Sequence, residues 1–443
     1  MKIEDIKINK ILDSRGEWTI EVEILSEELR EKASIPSGKS KGSYEAISLS
    51  YDEVQKNLES FLKDVKNLDF KNSEEFDKFL IDRAGKNKEK LGANFTLGAS
   101  IAFARILAKK EGLELWEYLR KEYLPELHDR IDSTRITRPN NNTCPNENRI
   151  NYPNNGPNNN IYPNKDSKFG PNSGNTFGPD SDNNNSFGQN SGKIPGLIIN
   201  LIGGGVHSNN NLDFQEYWLT TDKHGFETDL YGYFDKLLTE ILNIINKLEE
   251  ELPKPLGRND EGAFCANFSD NYQPFLFLKK IKNNFELGAD IAANQITKLV
   301  NWRNIYKKLK LLDVKYLEDP FKENEFEYFA NLRKEGFKII GDDLTVTNVE
   351  RLKIALGKNS VDGVIVKPNQ VGTILETFEF TKMAKENNLF TIFSHRSGET
   401  NDHWLIDLGI AFFADFFKIG PPVQGERVSK YNRLLEILKN LQF

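Results

Sequence analysis

The first part of the chain carries two hydrophobic periods in succession. Trp18, Ile20, Val22 and Ile24 alternate with polar residues, which predicts a strand within a strand-like stretch over residues 1–30. Apolar residues then recur at helical spacing over about 52–66, 73–84, 93–111 and 114–122. Strands followed by helices are typical of an α+β domain, which we assign to residues 1–138.

The second half alternates short apolar runs with helical stretches, and a polar residue stands near the end of almost every run. Six such residues are Asp290, Glu318, Asp342, Lys367, His395 and Lys418. Successive members are 28, 24, 25, 28 and 23 residues apart, about the length of one strand, one helix and two loops. This rhythm predicts a β/α barrel over residues 193–443, with a site at the carboxyl ends of its strands.

The composition breaks sharply between these regions. Residues 139–192 contain 18 Asn, 7 Pro and 6 Gly, with a loose repeat of Phe-Gly-Pro-Asn-Ser type. The segment has few apolar side chains to bury, and their burial would not offset the conformational entropy lost on ordering the chain. We therefore interpret it as a disordered insertion. A partner-binding segment anchored by its phenylalanines is the alternative.

Charge and composition exclude several classes. The 443 residues include 59 Lys+Arg and 66 Asp+Glu, a net charge of −7, which disfavours nucleic-acid binding. No apolar run approaches the ~20 residues that span a bilayer, and the N-terminus lacks a signal-peptide core. Two cysteines, Cys144 and Cys265, cannot form a disulfide framework. We therefore expect a cytoplasmic protein.

The strand-end residues suggest a specific chemistry. Asp290, Glu318 and Asp342 would converge from neighbouring strands, and close carboxylates repel one another unless a cation lies between them. Oxygen ligands suit Mg²⁺, Mn²⁺ or Ca²⁺, and the sequence has no Cys/His spacing typical of zinc.

Lysines and a polar turn complete this set. Lys367 and Lys418 end apolar runs, where desolvation near a metal lowers the pKa of a lysine and makes it a base. Pairing with the carboxylates is the alternative role. The residues His395 to Gly398 would suit an anionic group. Together these features favour proton abstraction beside a carboxylate.

The motifs that carry these residues resemble those of the enolase family. They occur in the family's order and span nearly the whole chain outside the insertion: 12–16, 36–42, 215–216, 260–262, 318–321, 341–348, 367–373 and 394–400. The segments around Asp342 and His395 are the most specific. The resemblance implies an N-terminal α+β lid domain, a barrel of ββαα(βα)6 order and a homodimer, in which Arg15 and Glu426 pair across the interface.

The resemblance also implies an activity, the reversible dehydration of 2-phosphoglycerate to phosphoenolpyruvate in glycolysis, with two Mg²⁺ per subunit. The implied metal ligands are Asp290, Glu318 and Asp342, with Ser40 for the second ion. The implied catalytic residues are Lys367 as base, Glu261 as acid, Glu216 beside it, and His207. The implied substrate contacts are Ser40, Gln215, His395, Arg396, Ser397 and Lys418.

Two other functions stay open. The first is an enzyme of the same superfamily that acts on another carboxylate substrate; the complete phosphate-side set argues against it. The second is a non-catalytic scaffold descended from such an enzyme. Changes in the loops favour this second alternative, among them Lys39 and Lys41 in the first loop, Val206 before His207, and Pro368 after Lys367.

The insertion generates a first prediction. Replacing residues 139–192 with a short Gly/Ser linker should leave activity and melting temperature nearly unchanged, because loop closure changes by only about 0.6 kcal/mol per halving of length. Enzyme assays and thermal unfolding of the two chains check this. A large loss of activity in the shortened chain would instead support the partner-binding interpretation.

Overall fold

The computed structural model describes residues 1–39, 42–66, 68–126, 194–221, 229–297 and 301–441. Ser40 and the insertion at 139–192 lie outside the described residues, as does the predicted boundary between the two domains. The division into 1–138, 139–192 and 193–443 therefore stays a prediction.

The N-terminal region contains the predicted strands and then the predicted helices. Strands β1 (Asp5–Leu12), β2 (Trp18–Ser26) and β3 (Leu29–Ser34) form an antiparallel sheet. The helices are α1 (Tyr51–Val65), α2 (Ser73–Ala84), α3 (Ala93–Glu111) and α4 (Leu115–Tyr123). Helix α3, buried along most of its length, packs against β2 and β3. The α+β prediction is confirmed.

Eight strands close the barrel. They are β4 (Gly196–Gly203), β5 (Glu216–Thr220), β8 (Glu286–Asp290), β9 (Val314–Glu318), β10 (Lys338–Gly341), β11 (Gly363–Val366), β12 (Phe390–Ser394) and β13 (Phe416–Lys418). A small hairpin, β6 (Gly257–Arg258) and β7 (Phe264–Cys265), extends β4. Strand β5 runs antiparallel to β4 and β8, the other barrel neighbours are parallel, and β13 pairs with β4.

Helices follow these strands in the expected order. They are α5 (Leu230–Glu251), α6 (Gln273–Ile281), α7 (Trp302–Leu311), α8 (Phe326–Lys334), α9 (Val349–Lys358), α10 (Ile374–Glu386), α11 (Trp404–Ala411) and α12 (Gly425–Asn440). Two strands, two helices and six strand–helix units make the ββαα(βα)6 order, which confirms the predicted barrel. No helix in the described part of the chain is both long and apolar enough to cross a membrane.

Large side chains fill the barrel interior. Trp218, Tyr316 and Phe416 pack with isoleucines from the other strands. Glycines on neighbouring strands make room for them: a Cβ at Gly288 would lie 2.1 Å from the Trp218 ring. The interior is therefore a packed core, and chemistry is confined to the strand ends.

The N-terminal region docks on that end of the barrel. Ser37 and Gly398 exchange backbone hydrogen bonds of 2.7 and 2.9 Å. Trp404 Nε1 donates to the Ser34 carbonyl, and Arg105 binds the Asp402 carboxylate with both terminal nitrogens. These contacts bring the Pro36–Gly38 turn over the strand ends.

The contact between α2 and the barrel generates a pH prediction. Asp77 is fully buried and accepts a hydrogen bond from Leu375 N at the start of α10. Burial raises its pKa from 3.8 to about 7, an effect that Glu376 adds to and Lys88 opposes. Between about pH 3.8 and pH 7, the folded chain thus binds more protons than the unfolded chain. The contribution of protonated Asp77 to the free energy of unfolding is therefore lost as the pH rises through about 7.

Asp77→Asn should therefore stabilise the chain by about 1–3 kcal/mol at pH 8 and change little at pH 4. The amide oxygen can still accept from Leu375 N. Urea unfolding at both pH values measures the difference. Asp82→Asn, on the exposed side of the same helix, is the matched control and should show no such pH dependence. Equal effects of Asp77→Asn at both pH values would contradict the prediction.

Candidate active site

The six residues predicted at strand ends lie at one end of the barrel. Each is the last residue of its strand or the residue directly after it: Asp290, Glu318, Asp342, Lys367, His395 and Lys418. Because parallel strands end at the same rim, the 23–28-residue spacing brings all six together. The structure thus places all six residues at strand ends, as the spacing predicts, and their roles stay predictions.

Lys418 lies at the centre of the carboxylates. Its Nζ is 2.7 Å from Glu318 Oε2, 2.8 Å from Glu216 Oε2 and 3.8 Å from Asp290 Oδ2. Burial acts to lower the pKa of Lys418, but the three carboxylates outweigh it and raise the pKa well above its usual value. Burial also raises the pKa of Glu216 and of Asp290 well above theirs. One ammonium therefore balances three buried acids only in part.

Lys367 contacts the next carboxylate around the rim. Its Nζ bonds to Asp342 Oδ2, and Gln370 Nε2 donates to Asp342 Oδ1 at 3.2 Å. Thr347 Oγ1 accepts from Lys367 N and donates to Gln370, which fixes the turn after β11.

The sequence led us to expect a lowered pKa for Lys367 beside a metal, and the arrangement without a metal ion differs from that. Burial lowers the pKa, as expected, but the charge of Asp342 outweighs it and the pKa is raised. The alternative interpretation, a lysine paired with a carboxylate, describes both Lys367 and Lys418.

Glu261 stands in a tight turn next to Glu216 and His207. Asn259 Oδ1 accepts from Glu261 N, and Asn200 Nδ2 donates to Glu261 Oε2 at 3.2 Å. Burial alone would raise the pKa of Glu261, but His207, His395 and Lys418 lower it far below its usual value. The Glu261 carboxylate is thus ionised, whereas Glu216 favours the protonated form.

Two imidazoles border these acids. His207 Nδ1 lies 3.1 Å from Asp260 Oδ1, and its Nε2 lies 3.9 Å from Glu261 Oε1. His395 is buried, and burial together with Arg427 holds its pKa well below 6.5. Gln215 Nε2 donates to Asp290 Oδ2 at 3.0 Å.

The polar turn after β12 presents cationic and hydroxyl groups. The Arg396 guanidinium binds the Glu45 carboxylate at 3.0–3.1 Å, and Ser397 Oγ accepts from Lys39 N and Arg15 Nη1. A Cβ at Gly38 would lie 1.8 Å from the guanidinium, so only glycine permits this approach. The N-terminal region thus closes directly onto the anion-binding side chains.

A small cavity of about 20 Å³ joins these groups. Its lining includes every predicted site residue in the described part of the chain except His207, Glu318 and Asp342: Gln215, Glu216, Glu261, Asp290, Lys367, His395, Arg396, Ser397 and Lys418. Acid, base and anion-binding groups therefore face one space. His207 borders it through Glu261, and Ser40 lies outside the described residues.

The carboxylates fit a divalent cation in part. Glu216, Asp290 and Glu318 each offer a ligand atom within 4.8 Å of the others, and Glu318 Oε1 is buried with no hydrogen-bond partner among the described residues. Asp342 belongs to a second group, with Asp319 and Asp343. Oxygen-only donors suit Mg²⁺. The predicted ligands thus lie in two groups of carboxylates, and Lys418 and Lys367 balance the charge of each group only in part.

Sequence reasoning missed three residues that hold the site together. The buried Arg427 donates to the carbonyls of Asp260, Arg396 and Ser397, which ties the Glu261 turn to the anion-binding turn. The Glu45 carboxylate accepts hydrogen bonds from the Arg396 guanidinium, and Asn259 Oδ1 accepts from Ala263 N in the turn that holds Glu261. None of them follows one of the eight barrel strands: Glu45 and Asn259 lie in turns and Arg427 lies near the start of α12, so the strand-end pattern does not identify them.

Comparisons with known proteins agree with this architecture. The family models described as "Enolase, N-terminal domain" and "Enolase, C-terminal TIM barrel domain" match residues 3–119 and 277–442. A protein named Enolase from Sulfurisphaera tokodaii is 33% identical, with 98% of this chain and 95% of the relative aligned. One of the same name from Saccharolobus solfataricus is 31% identical over the same shares of each chain.

Proposed function

This chain belongs to the enolase family and is a lyase of the phosphopyruvate hydratase class, and from that premise we propose the reversible dehydration of 2-phosphoglycerate to phosphoenolpyruvate as its reaction. The observation that supports it most is that Lys367, Glu261 and Arg396 border one cavity. A base, an acid and an anion-binding group are the three parts that this elimination needs.

Lys367 removes the proton from the carbon beside the substrate carboxylate. The electron pair then forms the double bond, and the hydroxyl group leaves from the next carbon with a proton supplied by Glu261. Because Lys367 is an ammonium and Glu261 a carboxylate in the arrangement described, both must exchange protons before this step. Glu216 and His207, which adjoin Glu261, are suited to relay that proton.

Other residues hold the substrate. Arg396 and Ser397 bind the phosphate, so the phosphate displaces Glu45 from the guanidinium. Lys418 binds the substrate carboxylate, and Gln215 and His395 complete the wall of the cavity. Ser40 is assigned to the same site by the resemblance alone.

We assign Asp290, Glu318 and Asp342 to one Mg²⁺ and Ser40 to a second. When bound, the two ions supply positive charge that stabilises the doubly negative carboxylate formed by proton removal. When Asp342 binds a cation, its charge no longer stabilises the protonated form of Lys367. The pKa of Lys367 then falls, which favours the neutral amine that can act as the base. A place in glycolysis in the cytoplasm follows from this reaction and belongs to the same proposal.

An absorbance assay for phosphoenolpyruvate tests the reaction. Purified full-length chain with 2-phosphoglycerate and Mg²⁺ should form phosphoenolpyruvate, and a chelator should stop it until Mg²⁺ is restored. A chain that binds 2-phosphoglycerate but forms no product would favour the scaffold alternative. A chain that does not convert 2-phosphoglycerate but dehydrates another 2-hydroxy acid would favour the alternative of a superfamily enzyme with another carboxylate substrate.

Base and acid variants should separate the two half-reactions. Lys367→Ala should lose exchange of the substrate C2 proton with solvent, whereas Glu261→Gln should keep exchange and lose dehydration by at least about 10²-fold. NMR in deuterated water measures exchange, and absorbance measures dehydration. Lys385→Ala, a buried lysine remote from the cavity that pairs with Asp415, controls for stability. Loss of exchange in Glu261→Gln alone would reverse the assignment.

We also propose a homodimer. Leu12 and Trp18, which flank Arg15, are 56% and 62% exposed, so the turn between β1 and β2 presents two large apolar side chains beside the residue expected at the interface. A two-fold interface would use this surface twice. Within its own chain Arg15 already binds Glu17 and Ser37, so a contact with Glu426 of another copy would add to those bonds.

Sedimentation should therefore show a dimer at micromolar concentration. Trp18→Glu should shift it toward monomer, because a charge on the apolar surface costs desolvation on association. Leu311→Glu, at a 75% exposed position on α7, is the control and should leave the dimer intact. A monomeric unmodified chain, or equal effects of both substitutions, would refute this interface.

A further inference from the structure

The turn directly after Lys367 is held partly by the N-terminal region. Ala46 N donates to the Gln370 carbonyl at 2.8 Å, and Asn369 Nδ2 donates to the Pro36 carbonyl at 3.1 Å. Lys367 itself directly follows β11, so the main chain passes at once from the barrel to a place where the two regions meet. The position of this turn therefore depends on groups outside the barrel.

Helix α10 begins just after this turn, and the N-terminal region supplies hydrogen-bond acceptors for its first amides. Amides of the first helical turn have no partner within the helix. Ile374 N donates to Ser100 Oγ at 3.1 Å, and Leu375 N donates to Asp77 Oδ2 at 2.8 Å. The N-cap side chain of α10 satisfies only the third amide. Residues 368–375 thus form a joint between the two regions, with α2 and α3 on its far side.

Both acceptors are shielded from solvent. Asp77 is fully buried and Ser100 is 1% exposed. Water therefore cannot easily replace either group, and an amide that loses its acceptor here is left unsatisfied in the interior. Gly372 shows how closely α3 lies against the joint: its φ is +101°, and a Cβ there would lie 2.7 Å from Thr96 Oγ1. The start of α10 thus has little room to shift relative to α3.

The joint is continuous with the main chain of Lys367. Gly372 N donates to the Pro368 carbonyl at 2.9 Å, and Gln370 N donates to the Lys367 carbonyl at 2.8 Å. From the barrel side, Thr347 Oγ1 accepts from Lys367 N at 2.9 Å. The turn is therefore held at its beginning by the barrel and at its end by the N-terminal region, so a displaced α10 would displace Lys367.

We propose that Asp77 and Ser100 are positioning residues for proton abstraction: they fix the start of α10, and through it the turn that carries Lys367. Neither side chain lines the cavity, so their effect on the reaction passes through the main chain. The consequence for proton abstraction rests on the proposed function, whereas the effect on the turn does not. The base is thereby correctly placed only when the N-terminal region is docked.

The charge of Asp77 is not what this role requires. Burial raises the pKa of Asp77 to about 7, although Ser100 and the Leu375 amide favour the ionised form. Either form keeps an oxygen that accepts from Leu375 N. An amide side chain at position 77 should therefore replace the carboxyl group, whereas alanine should not.

Exchange of the C2 proton of 2-phosphoglycerate with solvent tests the effect on the base. In Ser100→Ala and Asp77→Ala, kcat for exchange should fall at least about tenfold, because a shift of about 1 Å can cost about 10²-fold. KM should change by less than about twofold, because the groups proposed to bind substrate are carried by other strands. NMR in deuterated water, well below each melting temperature, measures both constants.

Two further variants separate positioning from general stability. Asp77→Asn keeps the acceptor oxygen and should retain most of the exchange rate that Asp77→Ala loses. Ser73→Ala is the matched control for Ser100→Ala, because Ser73 is also 1% exposed but its hydroxyl donates to Tyr118 within the N-terminal region. It should exchange the C2 proton at the unmodified rate, even if its melting temperature falls.

Hydrogen–deuterium exchange of the main chain, read by mass spectrometry without substrate, tests the joint directly. In Ser100→Ala, peptides that cover residues 367–377 should exchange faster than in the unmodified chain, including the amides of Gln370 and Gly372. Ser73→Ala should leave these peptides unchanged. Faster exchange confined to α10, with an unchanged turn after Lys367, would overturn the inference.

The kinetic results can overturn it as well. Unchanged kcat in Ser100→Ala, a loss confined to KM, or an equal loss of kcat in Ser73→Ala would each do so. If Asp77→Ala does not fold, Ser100→Ala, the smaller change, decides. An unmodified chain that exchanges no C2 proton would refute the proposed function, and the deuterium measurement would still decide whether Ser100 holds the turn after Lys367.

Discussion

The structure depends on balancing buried charge at the carboxyl end of the barrel. Glu216, Asp290 and Glu318 have almost no contact with water, and an isolated buried carboxylate is costly. Lys418 reduces that cost by lying between them, and Lys367 does the same for Asp342. Removing one partner would leave an uncompensated charge, so the acids and lysines form one electrostatic unit. The rim is stable only with cations, supplied by the chain or by metal.

The same requirement explains why the N-terminal region must close on the barrel. Arg396 projects from the turn after β12 and would face solvent or an anion if left alone. Glu45 neutralises it from the N-terminal side, and Gly38 lets the turn come close enough to exclude water. The charges on the barrel rim and the docking of the N-terminal region are therefore coupled. Occupying Arg396 with another anion changes the contacts that hold Glu45.

The strands and the strand-end residues could be predicted from the sequence, because both follow from regular spacing along the chain. The alternation around Val22 and the repeat of about 25 residues depend on local geometry alone, and both placed their residues correctly. The pKa of Lys367 was not predictable, because it depends on whether Asp342 is occupied by a proton, a lysine or a metal. Arg427 was missed because it binds main-chain carbonyl groups, which every residue has, so residue types do not identify its partners.

The two sides of the rim carry different kinds of side chain. Asp290 and Glu318 offer only oxygen and are held apart by an ammonium, so an ion that binds them must accept hard ligands. Glu216 adjoins both these acids and Glu261, to which His207 and His395 bring nitrogen. An imidazole ordinarily exchanges protons near neutral pH, so His207 is suited to exchange a proton with the neighbouring Glu261 carboxyl group. Lysines therefore balance the carboxylates on one side of the rim, whereas imidazoles border the carboxylate on the other, so the Glu261 turn keeps a neighbour that exchanges protons at a pH where the lysines do not.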